Sequence, residues 1–102
     1  MKKIYISGAI TDVPNDNKEA FEKAETFLRE KGYEPVNPHK LDHSNDVTHA
    51  DHMHTDLQEL LACDGVYFLQ GWRYSTGAKV EMAVALAIDL DIDFEPKELE
   101  VV

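Results

Sequence analysis

Gly65-Val66-Tyr67-Phe68-Leu69 is nearly all apolar, and the loop Gln70 to Gly77 carries it into a helical pattern from about Thr76 to Leu90. A short run buried on both faces and followed by a helix is the signature of a central parallel strand. Working outward, Ile4-Tyr5-Ile6 closed by Ser7-Gly8 reads as a first strand, and Tyr33-Glu34-Pro35-Val36 as a second. Pro35 suits an edge position. Between them Asp16-x-x-Glu19 matches a helix-opening capping box, Ala20, Phe21, Ala24, Phe27 and Leu28 form one apolar face, and Gly32 supplies a left-handed stop. Met53, Leu57, Leu60 and Leu61 mark a second helix, and Ile92-Asp93-Phe94 a last short strand.

Strands and helices therefore alternate. The pattern predicts an α/β fold: a small Rossmann-like or flavodoxin-like three-layer sandwich around a parallel sheet of about four strands. The 102 residues leave room for one core, with the domain expected over residues 1–94 and an acidic tail over 95–102. In such sheets ligands bind beyond the carboxyl ends of the strands. That privileges Ser7 to Pro14, the polar connection 37–48, and Gln70 to Gly77.

Twenty acidic residues against ten Lys and Arg give a net charge of −10, which argues against nucleic acid or an anionic membrane surface as partner. Six acids and one lysine lie between Asp89 and Glu100, so that end carries half of the excess. Cys63 is the sole cysteine and reads as a small buried hydrophobe. The first apolar stretch stops at Gly8, too short for a secretory leader, and the chain reads as cytoplasmic.

Several residues offer chemistry. Ser75 or Thr76 can cap the third helix, whose start makes a site for an anion or an oxygen-rich ligand. Glu81 lies one turn in, and Gly77, four residues earlier, leaves open space above the carboxylate. Glu81 also reads as a solvent-facing acid complementing the helix dipole. Asp56 flanks the apolar stripe of the second helix, where pairing with His52 at i, i+4 is the plain structural alternative. Tyr5 points to the face opposite Ile4 and Ile6; it is either a core tyrosine or one whose hydroxyl meets a carboxylate. Asp64 has turn composition on both sides. His39, His43, His49, His52 and His54 crowd into sixteen residues. His49, His52 and Asp56 share a helix face, but they match no named metal-ligand spacing.

Three segments together resemble the nucleoside 2-deoxyribosyltransferase superfamily. They are Ile4 to Ile10, Met53 to Tyr67 and Ser75 to Glu81, spread over residues 3–92. The layout is most similar to that of the 2′-deoxynucleoside 5′-phosphate N-hydrolases and to a small phage and bacterial branch. The resemblance implies cleavage or exchange at the N-glycosidic bond of a 2′-deoxynucleoside or its 5′-monophosphate, with no cofactor and no metal. It makes Glu81 the nucleophile at C1′, Asp56 the base-side acid, and Tyr5 the residue orienting the nucleophile. Ser75 would hold a 5′-phosphate, and Ser7, Gly8, Ala9, Ile10 and Gly77 would line the pocket. Trp72 either stacks a base or packs. The hydrolases carry an arginine and glycines after the first strand; here Thr11-Asp12-Val13 stands there, acidic instead of basic. A phosphate is poorly welcomed unless Arg73 or Lys79 reaches it. Superfamily enzymes assemble as dimers or larger, and an exposed sheet edge would favour a homo-oligomer here. The rival reading is a non-catalytic nucleotide-binding module on the same fold.

Overall fold

A computed structural model describes residues 1–97; the expected acidic tail beyond residue 97 lies outside the described residues. Strands β1 (Lys3–Ser7), β2 (Glu34–Val36), β3 (Gly65–Phe68) and β4 (Asp91–Phe94) alternate with helices α1 (Lys18–Glu30), α2 (His49–Leu61) and α3 (Thr76–Ala87). All pairings are parallel, in the order β2-β1-β3-β4. The α/β three-layer sandwich is as the alternation predicts. β3 sits inside the sheet with every residue buried, and Pro35 lies on the edge strand.

Successive residues of a strand point to opposite faces, so β1 divides the core in two. Ile4 and Ile6 join Phe21, Ala24 and Leu28 of α1 on one face. Tyr5 joins Leu60 of α2 and Ala85 of α3 on the other, with Val66 and Phe68. Each fully buried Phe or Leu side chain contributes roughly 1.5–3 kcal/mol.

Four local expectations change. Asp16 caps nothing. Asp12, Asn15, Asp16 and Asn17 all take left-handed backbone, and α1 starts at Lys18 without a side-chain cap. The Asn17 amide instead donates to the Ala9 carbonyl at 3.1 Å, tying down the loop after β1. Leu61 is 56% exposed, because the inward face of α2 centres on Leu57 and Leu60 and the next residue lies about 100° further round. Phe27 likewise sits at the rim of its stripe, half-exposed and stacked on Tyr67. α3 ends at Ala87, three residues early: Asp89 adopts φ 59° and the Leu90 amide bonds back to the Ala85 carbonyl, a left-handed stop built without glycine.

Two devices set the strand ends. Asp64 accepts from the Lys3 amide at 2.8 Å, fixing the α2–β3 turn against the start of β1. Past β4, the Glu95 amide bonds to the Phe68 carbonyl at 2.8 Å and its carboxylate accepts from the Gln70 amide, so the chain stays attached beyond residue 94. No helix among the described residues is long and apolar enough to cross a membrane.

Candidate active site

β1 leaves the sheet toward α1 and β3 leaves it toward α3, so the direction of winding reverses between these adjacent strands. A crevice opens beyond their carboxyl ends, where this topology places ligands. It is a cavity of about 690 Å³, walled by the loop after β1, the polar connection after β2, and the opening turn of α3. One of its walls is clamped from below. The buried Glu25 carboxylate accepts from Asn37 Nδ2 at 2.9 Å and from Lys40 Nζ at 2.9 Å, holding the segment that carries Pro38 and His39. Burial alone would raise Glu25, but the hydrogen bonds from Lys40, Asn37 and Arg29 outweigh it and keep the carboxyl below its usual range.

Glu81 reaches this cavity from inside α3. It is 5% exposed, which removes the solvent-facing alternative. The Ser7 hydroxyl donates to Oε1 at 2.7 Å, while Oε2 is buried without a hydrogen-bond partner among the described residues. Burial pushes the carboxyl up to about 7; the Tyr5 and Ser7 hydroxyls pull it back, and the charge of Asp56 adds to the rise. Tyr5 is fully buried, and its hydroxyl lies close enough to Glu81 to be felt electrostatically. It completes no hydrogen bond of proper geometry. Burial and then the Glu81 charge hold the phenol well above its ordinary range.

Asp56 lines the same cavity, but its partner is not His52. His43, from the connection after β2, places Nε2 2.8 Å from Asp56 Oδ1. His52 lies instead 3.7 Å from Asp46 Oδ2. Burial raises the Asp56 carboxyl, with the His43 bond opposing. The partner was invisible to helical spacing because it arrives from a loop thirteen residues away.

Ser75 is the α3 cap: its Oγ accepts from the Ala78 amide at 3.1 Å, which leaves its own proton free for a ligand. Gly8, Ile10, Ser75 and Gly77 line the cavity together with Glu81 and Asp56. Ser7, Ala9 and Trp72 do not; Ser7 is fully buried behind Glu81, to which it donates. Ala9 offers its carbonyl to Asn17, and Trp72 packs on Phe68 at 5.1 Å and Phe94 at 6.2 Å between ring centroids. The Arg73 guanidinium lies over Trp72, and no Lys or Arg lines the cavity. Asp12, His39 and Tyr74 line it without having been singled out for that role; position in a loop beyond a strand end was their sole signal. Among the described residues, His43, Asp46 and His52 form the set with metal-ligating donors close together.

The chain is similar in fold to a 2-desoxiribosyltransferase from Leishmania mexicana. The TM-score is 0.71 at 16% identity, over 92% of this chain and 63% of that one, so the present chain spans less than two thirds of that protein's length. No curated protein matches the chain in sequence. A family profile described as "Domain of unknown function (DUF4406)" matches residues 2–94, essentially the whole sheet and its helices, and the chain belongs to that family.

Proposed function

We infer that this protein cleaves or exchanges the N-glycosidic bond of a 2′-deoxynucleoside, or of its 5′-monophosphate, with Glu81 as the nucleophile. The observation carrying this reading is the state of the Glu81 carboxylate: buried, oriented through Oε1 by Ser7, and with Oε2 unpartnered at the wall of a nucleoside-sized cavity. The fold likeness to a protein titled as a deoxyribosyltransferase supports the same assignment.

In the reaction, Oε2 of ionised Glu81 attacks C1′ as the C1′–N bond breaks. The departing base takes up a proton from the Asp56 carboxyl, which regains it from the water or base that attacks in the second step. The developing oxocarbenium charge is neutralised by the carboxylate, and the product is an ester between Glu81 and the sugar. Water, or the nitrogen of a second base, then attacks C1′ and returns Glu81 as carboxylate. The absent 2′-hydroxyl makes the cation easier to form and leaves room for the carboxylate. Ser7 holds the nucleophile, the nearby Tyr5 hydroxyl favours its ionised form, and Asp56 stands at the base side. With no Lys or Arg in the lining and Asp12 at the rim, the uncharged nucleoside is expected to be preferred over the monophosphate.

Loss of the basic loop that the hydrolases carry after the first strand favours the second reading, a nucleotide-binding module without turnover. Release of free base, followed by chromatography, separates the two. The panel is deoxynucleosides, ribonucleosides and their monophosphates, with and without an acceptor base. Release confined to 2′-deoxy sugars and lost in Glu81→Ala supports the enzyme. Binding with no release by the wild type across the panel transfers the assignment to the module.

A further inference from the structure

His43 and His52 line the cavity and Asp46 lies beside them. None of the three has a role of its own in the deoxyribosyl reading, although His43 is bonded to Asp56. His43 and Asp46 come from the connection between β2 and α2, and His52 from the first turns of α2. One donor atom from each lies within 4.8 Å of the other two. The His43 and His52 rings are 4.8 Å apart, and His52 Nδ1 is 3.7 Å from Asp46 Oδ2. We propose that His43, Asp46 and His52 bind a divalent transition-metal ion of the zinc type, clipping residues 37–48 to α2 beside the cavity.

The donors are in a state that suits a cation. The Asp46 side chain is 11% exposed. Its Oδ1 accepts from Thr55 Oγ1 at 3.0 Å, which fixes the carboxylate, but Oδ2 is buried without a hydrogen-bond partner. A buried carboxylate oxygen left in that condition is costly unless a donor or a cation meets it. His43 supplies a second reason. Its Nε2 lies 2.8 Å from Asp56 Oδ1; with that carboxylate ionised, Nε2 carries the proton and the lone pair is left on Nδ1. Metal-bound histidines are held in this way, by a carboxylate on the ring nitrogen that does not ligate.

The set is also the right type. Two imidazoles and one carboxylate are borderline ligands that suit zinc and its neighbours and leave coordination positions open. Metal bonds of roughly 2.0–2.2 Å place ligands about 3.3–3.5 Å apart, so the three donors need to close by about 1.5 Å at most. His52 is half-exposed and can rotate to do so. Because His43 and His52 both line the cavity, positions not filled by protein would face its interior. Five histidines in this segment matched no ligand spacing in the sequence; the fold selects two of them and adds an aspartate from the loop.

The site adjoins Asp56 through His43, so its test reads metal alone and no glycosidic activity. Untagged protein is stripped with a chelator, dialysed, and titrated with Zn²⁺ in competition with a chromophoric chelator. A parallel titration with Co²⁺ follows the visible ligand-field bands. The expected result is one equivalent bound, with Co²⁺ absorption typical of nitrogen and oxygen ligands at low coordination number. His52→Ala and Asp46→Asn each weaken binding at least ~10-fold. His54→Ala, an exposed histidine of the same helix outside the cluster, leaves it unchanged. Absence of stoichiometric binding by the wild type overturns the proposal. So does binding that survives both His52→Ala and Asp46→Asn, or that falls equally in His54→Ala.

Discussion

The Ser7 hydroxyl donates a 2.7 Å hydrogen bond to Oε1 of Glu81, linking the end of β1 to α3 across 74 residues of chain. In Ser7→Ala neither carboxylate oxygen keeps a hydrogen-bond partner. A hydrogen bond to a charged group contributes roughly 1.5–3 kcal/mol, so the Glu81 carboxyl should move upward from about 7 by about one pH unit. Carbon-13 NMR titration of the labelled carboxyl reads this directly. The acid limb of the base-release profile should follow it, with a roughly fivefold lower rate at pH 7. An unmoved carboxyl resonance would show that Ser7 does not set the state of Glu81.

The same burial makes stability depend on pH in a particular direction. Glu81 titrates near 4.5 in the unfolded chain and near 7 in the folded one, so between these values the folded state holds the extra proton. The stabilisation is complete below pH 4.5 and is lost as pH rises through 7. By then ionised Glu81 has cost on the order of 3 kcal/mol. Glu81→Gln, which cannot ionise, should therefore gain in thermal midpoint over the wild type as pH goes from 5 to 8. Differential scanning calorimetry across that range checks the sign, and a constant difference refutes it.

Two cavity glycines should respond oppositely to alanine. A Cβ on Gly8 would lie 2.9–3.1 Å from three atoms of Leu69, including its Cβ, in the packed core. Gly8→Ala should cost about 1–3 kcal/mol in urea unfolding. A Cβ on Gly77 would press on the flexible end of Met53, with Sδ at 3.0 Å, and touch Ser75 Oγ at an ordinary 3.9 Å. Gly77→Ala, in the first turn of a helix, should stay within about 1 kcal/mol of the wild type. It should weaken nucleoside binding, because the methyl displaces Met53 and crowds Ser75, both of which line the cavity. Equal unfolding costs for the two variants would contradict this division.

Trp72 belongs to a ring stack with Phe68 and Phe94 and not to the cavity. Trp72→Ala should lose on the order of 2–4 kcal/mol in denaturant unfolding, with the preference among bases unchanged. A change in base preference at preserved stability would place the indole against the ligand instead.

Elements governed by neighbours in sequence were legible from the chain. β3 was visible because five consecutive apolar residues leave few alternatives, and Gly32 because few other residues take φ +86° easily. The start of α1 was not, since Asn15, Asp16 and Asn17 enter a left-handed conformation that removes Asp16 from the capping position. For the site, the outcome followed distance along the chain. Glu81 and its cap Ser75 are local to one helix; the open space expected above Glu81 at Gly77 is instead met by Met53, which comes from α2. The partners of Glu81 and Asp56, Ser7 and His43, come from other elements, and their contacts exist only once the sheet has formed. Trp72 carried no signal for direction, because a loop residue's side chain is set by tertiary packing.

β4 occupies one end of the sheet with Asp91 and Asp93 exposed along it, and Lys2 is 3.7 Å from Asp91. An open strand is a template on which another copy can add itself, and repeated acids make that addition electrostatically unfavourable. The concentration of charge toward this end of the chain thus acts as a guard against fibre-like stacking. It follows that copies meeting in solution are steered away from this strand. Added salt, which screens the guard, should be the condition under which ordered aggregation first becomes visible.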